Sequence, residues 1–248
     1  MIRLLCLGLP GLVMAADLLV YVPEAASSLV VQRTLEADAA LAGVTVRVSP
    51  RWRTFEEQLE AHPHAWILAS SPALAGGGWH PVLQGQRLGS VHFRYRVIAL
   101  NQVASAPVAS ATGTIGLVQE CGREPLEAFL KAGFPGQTLP GRQRLVAKSA
   151  DLLQVLGLEM VTCALVSPTL AAQAMSRFPG QVRVVGESRP IRLPVVAVRH
   201  PEEAPAAARL AGLAAPALMI LGLDALIACD GPVAPWIMEP VAPGAQKP

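Results

Sequence analysis

Ten side chains have the types and positions through which this sequence could do chemistry: Tyr21, Glu24, Ser70, Ser71, Trp79, Gln119, Glu120, Arg123, Ser167 and Ser188. They offer hydroxyls, carboxylates, a carboxamide, a guanidinium and an indole. That is an inventory for holding a small molecule by hydrogen bonds and charge. Most of them, with Pro23, stand at or just after the carboxyl end of an apolar run. In open α/β sheets, ligands bind at such strand ends. Singly, each Ser or Glu is equally well read as an ordinary helix cap or turn residue. Trp79 and His80 lie on a Gly-rich loop over 75–80, which could close over a cleft or serve as a solvent loop with an anchoring indole. Catalytic signatures are missing: there is no Gly-x-Ser-x-Gly, no Glu-x-x-His, no paired-acid motif, and no Walker or dinucleotide fingerprint. His62-Pro63-His64 has no third ligand nearby and reads as a solvated helix end, since metal sites need three or four ligands. The expectation is a binding protein with no enzymatic activity, no metal and no cofactor.

The elements that position these residues can be read outward from residues 113–135. Residues 113–118 form a short β-branched apolar run bounded by Gly, which predicts a buried strand. Pro125 suits a first helical position. Leu126, Phe129 and Leu130 recur at helical spacing until Gly133 and Pro135. The turn between, 119–124, carries Gln119, Glu120, Cys121 and Arg123.

The same grammar begins the chain, with a strand over 17–22, a helix from Ser27 or Ser28 to about 42, and a strand over 44–48. A helix with a Thr54/Glu57 capping box and a strand over 65–69 come next. Such a βαβαβ run implies parallel strands with helical crossovers. Residues 90–100 alternate as one half-exposed strand, and 101–112 read as the crossing between lobes. The second lobe continues with strands over 144–147, 161–166 and 182–185 and helices over 149–157 and 169–177. A return strand over 193–199 leads to apolar helices over 205–213 and 216–229. The expected organisation is a leader over 1–16, a first lobe over 17–103 plus 195–248, and a second lobe over 104–194. Residues 240–248, rich in Pro, Gly and Ala, read as a disordered tail.

Composition narrows the partners. The 248 residues are 52% hydrophobic and 15% charged, with a formal net charge of +2, so electrostatic binding of nucleic acid is not expected. Arg3 followed by the apolar run 4–14 and Val13-Met14-Ala15 reads as a secretion signal cleaved before Ala16 or Asp17. That run is too short to span a membrane, and Asp224 interrupts the apolar run near the C-terminus, so no membrane-spanning segment is expected. Cleavage would leave Cys121, Cys163 and Cys229, an odd number, so at least one thiol stays unbridged in an oxidising compartment. Cys121 could bridge Cys163 if their strands are neighbours; spacing alone does not establish it.

The order of these elements resembles the type II periplasmic solute-binding proteins, and within them the phosphate/phosphonate-type binding proteins of ABC transporters. Residues 65–71 resemble that family's third strand and Tyr95-Arg96-Val97-Ile98-Ala99 its crossing strand. Residues 157–166 are similar to its Gly-x-x-Val-Asp-Ala-Ala-x-Val segment. Glu187-Ser188-Arg189-Pro190-Ile191 with 194–199 is similar to its return. The resemblance implies a two-lobed α/β fold, each lobe a mixed sheet flanked by helices, with the ligand in the cleft between lobes. It also implies a periplasmic location and a membrane transporter as partner. One departure bears on the ligand. In phosphonate-binding members the turn corresponding to 119–125 supplies hydroxyls to the oxyanion; here it has no Ser or Thr and carries Glu120 and Glu124 against Arg123 alone. Three readings stand: a carrier of a small solute, a carrier of an apolar sterol- or hopanoid-like lipid, or a sensory or partner-binding module. The solute carrier would close by a hinge about 101–112 and 190–195.

Overall fold

The computed structural model describes residues 16–25, 27–74, 78–101, 113–135 and 139–229, and of Glu124 the backbone alone. The leader apart from Ala16, the tail over 240–248 and nearly all of 101–112 lie outside the described residues.

The first lobe opens with β1 (Ala16–Tyr21), whose Leu18, Leu19 and Val20 are fully buried. Helix α1 (Ser28–Glu36) starts at Ser27, whose Oγ accepts from the Val30 amide. It is shorter than expected, because a single 3₁₀ turn capped by Asp38 takes over before β2 (Val44–Ser49). Helix α2 (Trp52–Ala61) begins two residues ahead of Thr54, so the capping box does not form, and Trp52, Phe55 and Leu59 make its buried stripe. Strand β3 (Trp66–Ala69) is buried throughout. β1 pairs in parallel with β2 and with β3, as the βαβαβ grammar requires.

Residues 80–86, which carry no clear sequence signal, form β4 (His80–Gln86). The alternating run over 90–100 is two strands, β5 (His92–Phe93) and β6 (Arg96–Leu100). β6 is bonded into the second sheet, so the chain passes between lobes at β5, ahead of the expected crossing over 101–112. There β7 (Thr114–Val118), α3 (Arg123–Gly133), β8 (Arg142–Val146), α4 (Ser149–Gly157) and β9 (Cys163–Val166) repeat the first unit. β7 is parallel to β8 and β9. Helix α3 begins two residues before Pro125, which sits within the first turn. A Cβ at Gly116 would lie 3.1 Å from Leu152 Cδ2, so the absent side chain lets α4 seat on β7.

Helix α5 (Pro168–Arg177) leads to β10 (Val182–Glu187), antiparallel to β6. β11 (Ile191–Arg192) pairs with β5 as a two-residue ribbon, and β12 (Val195–Val198) re-enters the first sheet beside β3. The run over 201–212 is 3₁₀ turns around a short α6 (Ala204–Ala207). The apolar run expected as a helix over 216–229 is instead α7 (Ala215–Ile220) and a strand, β13 (Ala225–Ala228), paired with β4. Gly222, at φ +71°, turns the chain out of the helix, and the open edge of β4 recruits residues 225–228 as its neighbour.

The sheet orders are β13-β4-β12-β3-β1-β2 and β10-β6-β9-β7-β8. Each lobe thus places a βαβαβ unit beside an antiparallel strand that has just crossed from the other. Each sheet has apolar clusters on both faces. Among the described residues no helix is long and apolar enough to cross a membrane.

Candidate functional site

The carboxyl ends of β1 and β3 in one lobe meet those of β7 and β9 in the other. Tyr21 closes β1. Its ring packs on Trp52 and Phe55 at centroid distances of 6.0 and 5.2 Å, and its Oη donates across the cleft to the Gln119 carbonyl at 2.9 Å. Burial is the main force that raises its phenol far above the ordinary range. Ser70, just after β3, donates to Glu120 Oε2 at 2.8 Å. Tyr95, between β5 and β6, donates to Glu120 Oε1 at 2.9 Å and packs edge-on against Phe93 and Phe129.

Glu120 therefore receives a hydroxyl from the first lobe and one from the segment that joins the lobes. Burial pushes its carboxyl up to about 7; the Ser70 and Tyr95 hydrogen bonds oppose the rise and the Glu24 carboxylate adds to it. Glu24 follows β1 at the cleft mouth, where its side chain keeps access to solvent. Surrounding protein still raises its carboxyl, against a hydrogen bond from Ser167 and the charge of Arg87. Ser167 serves two purposes, because its Oγ also accepts from the Leu170 amide at 3.2 Å and caps α5. Ser71 donates to the Arg192 carbonyl at 3.4 Å, tying the first lobe to the β5–β11 ribbon.

Between the lobes lies a small cavity of about 20 Å³, lined by Glu24, Tyr95, Glu120, Ser149 and Ser167 among leucines, Phe129 and Pro72. That is room for about one water molecule.

The ten candidate residues divide on this geometry. Tyr21, Glu24, Ser70, Gln119, Glu120 and Ser167 come together at the cleft, with Ser71 behind them. Three lie elsewhere. Arg123 is on the exposed face of α3, its Nε 3.2 Å from Glu127 Oε1, an ordinary i,i+4 pair. Trp79 packs beside the Tyr21–Trp52–Phe55 cluster under the Arg199 guanidinium, 4.8 Å from the ring centroid. His80 is exposed at the start of β4. Ser188 is buried in the backbone of the crossing, accepting from the Tyr95 amide at 2.9 Å and donating to the Arg189 carbonyl at 2.7 Å. The side chain of Glu124 lies outside the described residues.

Tyr95 and Phe129 are the residues that sequence reasoning missed. The available signal was Tyr95's place in an apolar stripe heading into the crossing.

The histidines take separate partners: His62 Nδ1 is 3.0 Å from Asp17, and His64 Nδ1 is 3.0 Å from Glu203, with its ring stacked on His200 at 4.6 Å. Among the described residues no group of three or more His, Cys, Asp or Glu is placed to hold a metal ion. No disulfide joins Cys121 to Cys163, and both are buried, which raises their thiols, Cys121 to about 12 and Cys163 to about 11. Cys229, expected at a helix end, comes just after β13, and its Sγ accepts from Arg192 Nη1 at 3.4 Å.

No protein-family model matches this sequence, and no curated protein matches it. Solved structures do. A binding-protein component of an ABC phosphonate transporter from Pseudomonas aeruginosa superposes with a TM-score of 0.63 at 12% identity, over 86% of this chain and 81% of its own. The Xanthomonas citri protein XAC2383, solved bound to ATP, gives 0.60 at 17% identity over 88% and 92%. The VFT2 domain of Bordetella pertussis BvgS, a double mutant, gives 0.50 at 12% over 84% and 91%. These likenesses agree with the sheet orders and the paired crossings: the chain has the type II periplasmic-binding-protein architecture, two α/β lobes of mixed sheets flanked by helices.

Proposed function

We propose that this chain is an exported binding protein that closes its two lobes on a small solute and delivers it to a membrane transporter. The observation that carries the reading is the meeting of polar strand-end groups from both lobes at one point, Ser70 with Glu120 and Tyr21 with the Gln119 carbonyl. Groups so placed come apart when the lobes separate and are remade, or replaced by a ligand, when they close. The signal-like N-terminus supports a periplasmic location, and the fold's likeness to a transporter component supports the partner.

A small solute is favoured over an apolar lipid, because hydroxyls and carboxylates from both lobes meet at the cleft. A phosphonate is disfavoured. The turn that would hold it directs Glu120 into the cleft, while Arg123 pairs with Glu127 on the surface. A second reading, a partner-binding or sensory module, draws support from the lobes' meeting through their own side chains, which gives closure without cargo a structural basis.

The test is native mass spectrometry of the protein gently isolated from its own periplasm, with small-angle scattering before and after periplasmic extract is added. A one-to-one small molecule and a smaller radius of gyration with extract are expected of a carrier. Neither result from either sample would leave the partner-binding module.

A further inference from the structure

One joint between the lobes carries an ionisable group. Glu120, in the turn after β7, takes hydrogen bonds from Ser70 of the first lobe at 2.8 Å and from Tyr95 of the crossing at 2.9 Å. The other groups that face it are Glu24 from the turn after β1, Tyr21 at the end of β1 and Cys121 beside it in sequence. Ser149 at the start of α4 and Ser167 at the cap of α5 line the same small cavity, and no Lys or Arg is among the described residues that line it. The cation that acts on Glu24 is Arg87, whose Nη1 donates to Thr169 Oγ1 at 3.2 Å.

Separation of the lobes takes Ser70 and Glu24 away from Glu120 and lets water in. Water stabilises a carboxylate better than an enclosure that offers two hydroxyls and no cation. The protonated acid loses less by staying enclosed, because each hydroxyl can accept as well as donate and so remains its partner. Closure also brings the Glu24 carboxyl from the opposite lobe into the same space, which adds to the cost of a charge on Glu120. Glu24, held by Ser167, pulls the same way, since its own carboxyl is raised in the closed arrangement. Three other cross-lobe contacts hold no acid: the Tyr21 hydroxyl on the Gln119 carbonyl, Arg87 on Thr169, and the Ser149 amide on the Pro23 carbonyl at 3.3 Å. They favour closure without regard to a carboxyl's charge, so Glu120 decides how pH enters.

We infer that Glu120 is a proton-operated latch between the lobes: the protonated acid, held by Ser70 and Tyr95, keeps the empty cleft shut, and its ionisation opens it. The inference rests on the reading of the lobes as parts that open and close, and it applies to a carrier and to a partner-binding module alike. The closed form has the raised carboxyl and the open form an ordinary one. The latch's contribution to closure is therefore complete below the ordinary carboxylate value, shrinks as pH rises, and is gone above about 7. Within that window one proton is taken up on closing, so each pH unit changes the closed-to-open ratio by up to about tenfold. In an acid medium a cargo must displace the chain's own contacts; above neutrality it meets an open cleft.

Small-angle scattering of the full chain with nothing added, from about pH 5 to about pH 8.5 at fixed ionic strength, tests this. Infrared titration of the protonated-carboxyl band is run on the same samples. The radius of gyration is expected to rise as pH passes about 7, with the same midpoint as the loss of the carboxyl band. Glu120→Gln, with a native circular dichroism spectrum, is expected to keep the small radius throughout and to lack that band. A band that titrates near 7 in the parent while the radius stays flat would overturn the latch, and this outcome needs no variant to fold. So would an equal rise of radius in Glu120→Gln, or a carboxyl already ionised at the acid end. If the parent's radius ignores pH but shrinks when periplasmic extract is added, the latch falls and the carrier reading stands. If neither pH nor extract changes it, both fall.

Discussion

Glu120 is the residue on which the cleft's behaviour turns. Its carboxyl sits at about 7 in the folded protein against an ordinary value of 4.5, chiefly because burial disfavours the charge. The folded state therefore binds this proton more tightly than the unfolded state does. The associated stability is complete below the ordinary carboxylate value, shrinks as pH rises, and is gone above about 7. Melting temperature followed from about pH 5 to 8 should show that decline. Glu120→Gln, neutral throughout, should flatten it and be the more stable form at pH 8, by on the order of 1–3 kcal/mol. An unchanged slope in the variant would assign the pH dependence to other groups. This carboxylate was legible in the sequence as a strand-end acid; its partner Tyr95 was not. The hydroxyl that meets Glu120 belongs to a crossing segment, and alternation reports which face a side chain takes, not what lies across a cleft from it. Arg123 shows the converse: Glu127 four residues on was the visible sign of a surface pair.

At the scale of elements, the sequence was most informative where two periodicities alternated. Both βαβαβ units were readable because most of their strands are short apolar runs and their helices amphipathic; β8, which opens Arg-Gln-Arg and is mostly exposed, was expected two residues late, over 144–147. Reading failed where apolar runs had neither period. Residues 216–229 could be helix or strand by composition, and the choice was made by β4, whose free edge lies far off in sequence. β4 itself went unread, since Pro81 and Gly85 weaken the strand pattern, although at Gly85 the Leu223 side chain and the Pro194 carbonyl leave no room for a Cβ. Helix α5 ties the second lobe to the site through its cap. Ser167→Ala removes the acceptor for the Leu170 amide and the donor to Glu24, and should lower stability by about 0.5–2 kcal/mol in denaturant unfolding. Leu152→Ala, at a fully buried position of α4 against β7, should cost more, about 2–5 kcal/mol. If the cap variant proved the costlier, Ser167 would matter through the cleft and not through its helix.

Among the described residues, two similar lobes are joined by two crossing segments, paired at β5 with β11 and by the Leu193 and Ser188 amides to the Val91 and Tyr95 carbonyls. So slight a connection leaves the lobes' relative position to the contacts across the cleft. Tyr21→Phe removes one of these, the donation to the Gln119 carbonyl, and leaves the packing of its ring on Trp52 and Phe55. The variant should keep its fold, lose about 1 kcal/mol, and show a larger radius of gyration by small-angle scattering. A radius equal to that of the parent would mean that the other contacts between the lobes suffice to hold them: Ser70 with Glu120, Ser167 with Glu24, Arg87 with Thr169, the Ser149 amide with the Pro23 carbonyl, and the ribbon.

The strands at the rims bear on colloidal behaviour. Only 15% of the residues are charged, yet β8 and β10, the two strands that end the second sheet, carry the exposed Arg142, Arg144 and Arg183. An unpaired sheet edge is a template for another chain, and a long cationic side chain there makes the approach of an identical copy repulsive. A protein so greasy in composition thus places three of its twenty positive charges as fenders along the second sheet's edges. Replacing these arginines by alanine is expected to leave the fold intact and lower the concentration at which the protein stays dispersed.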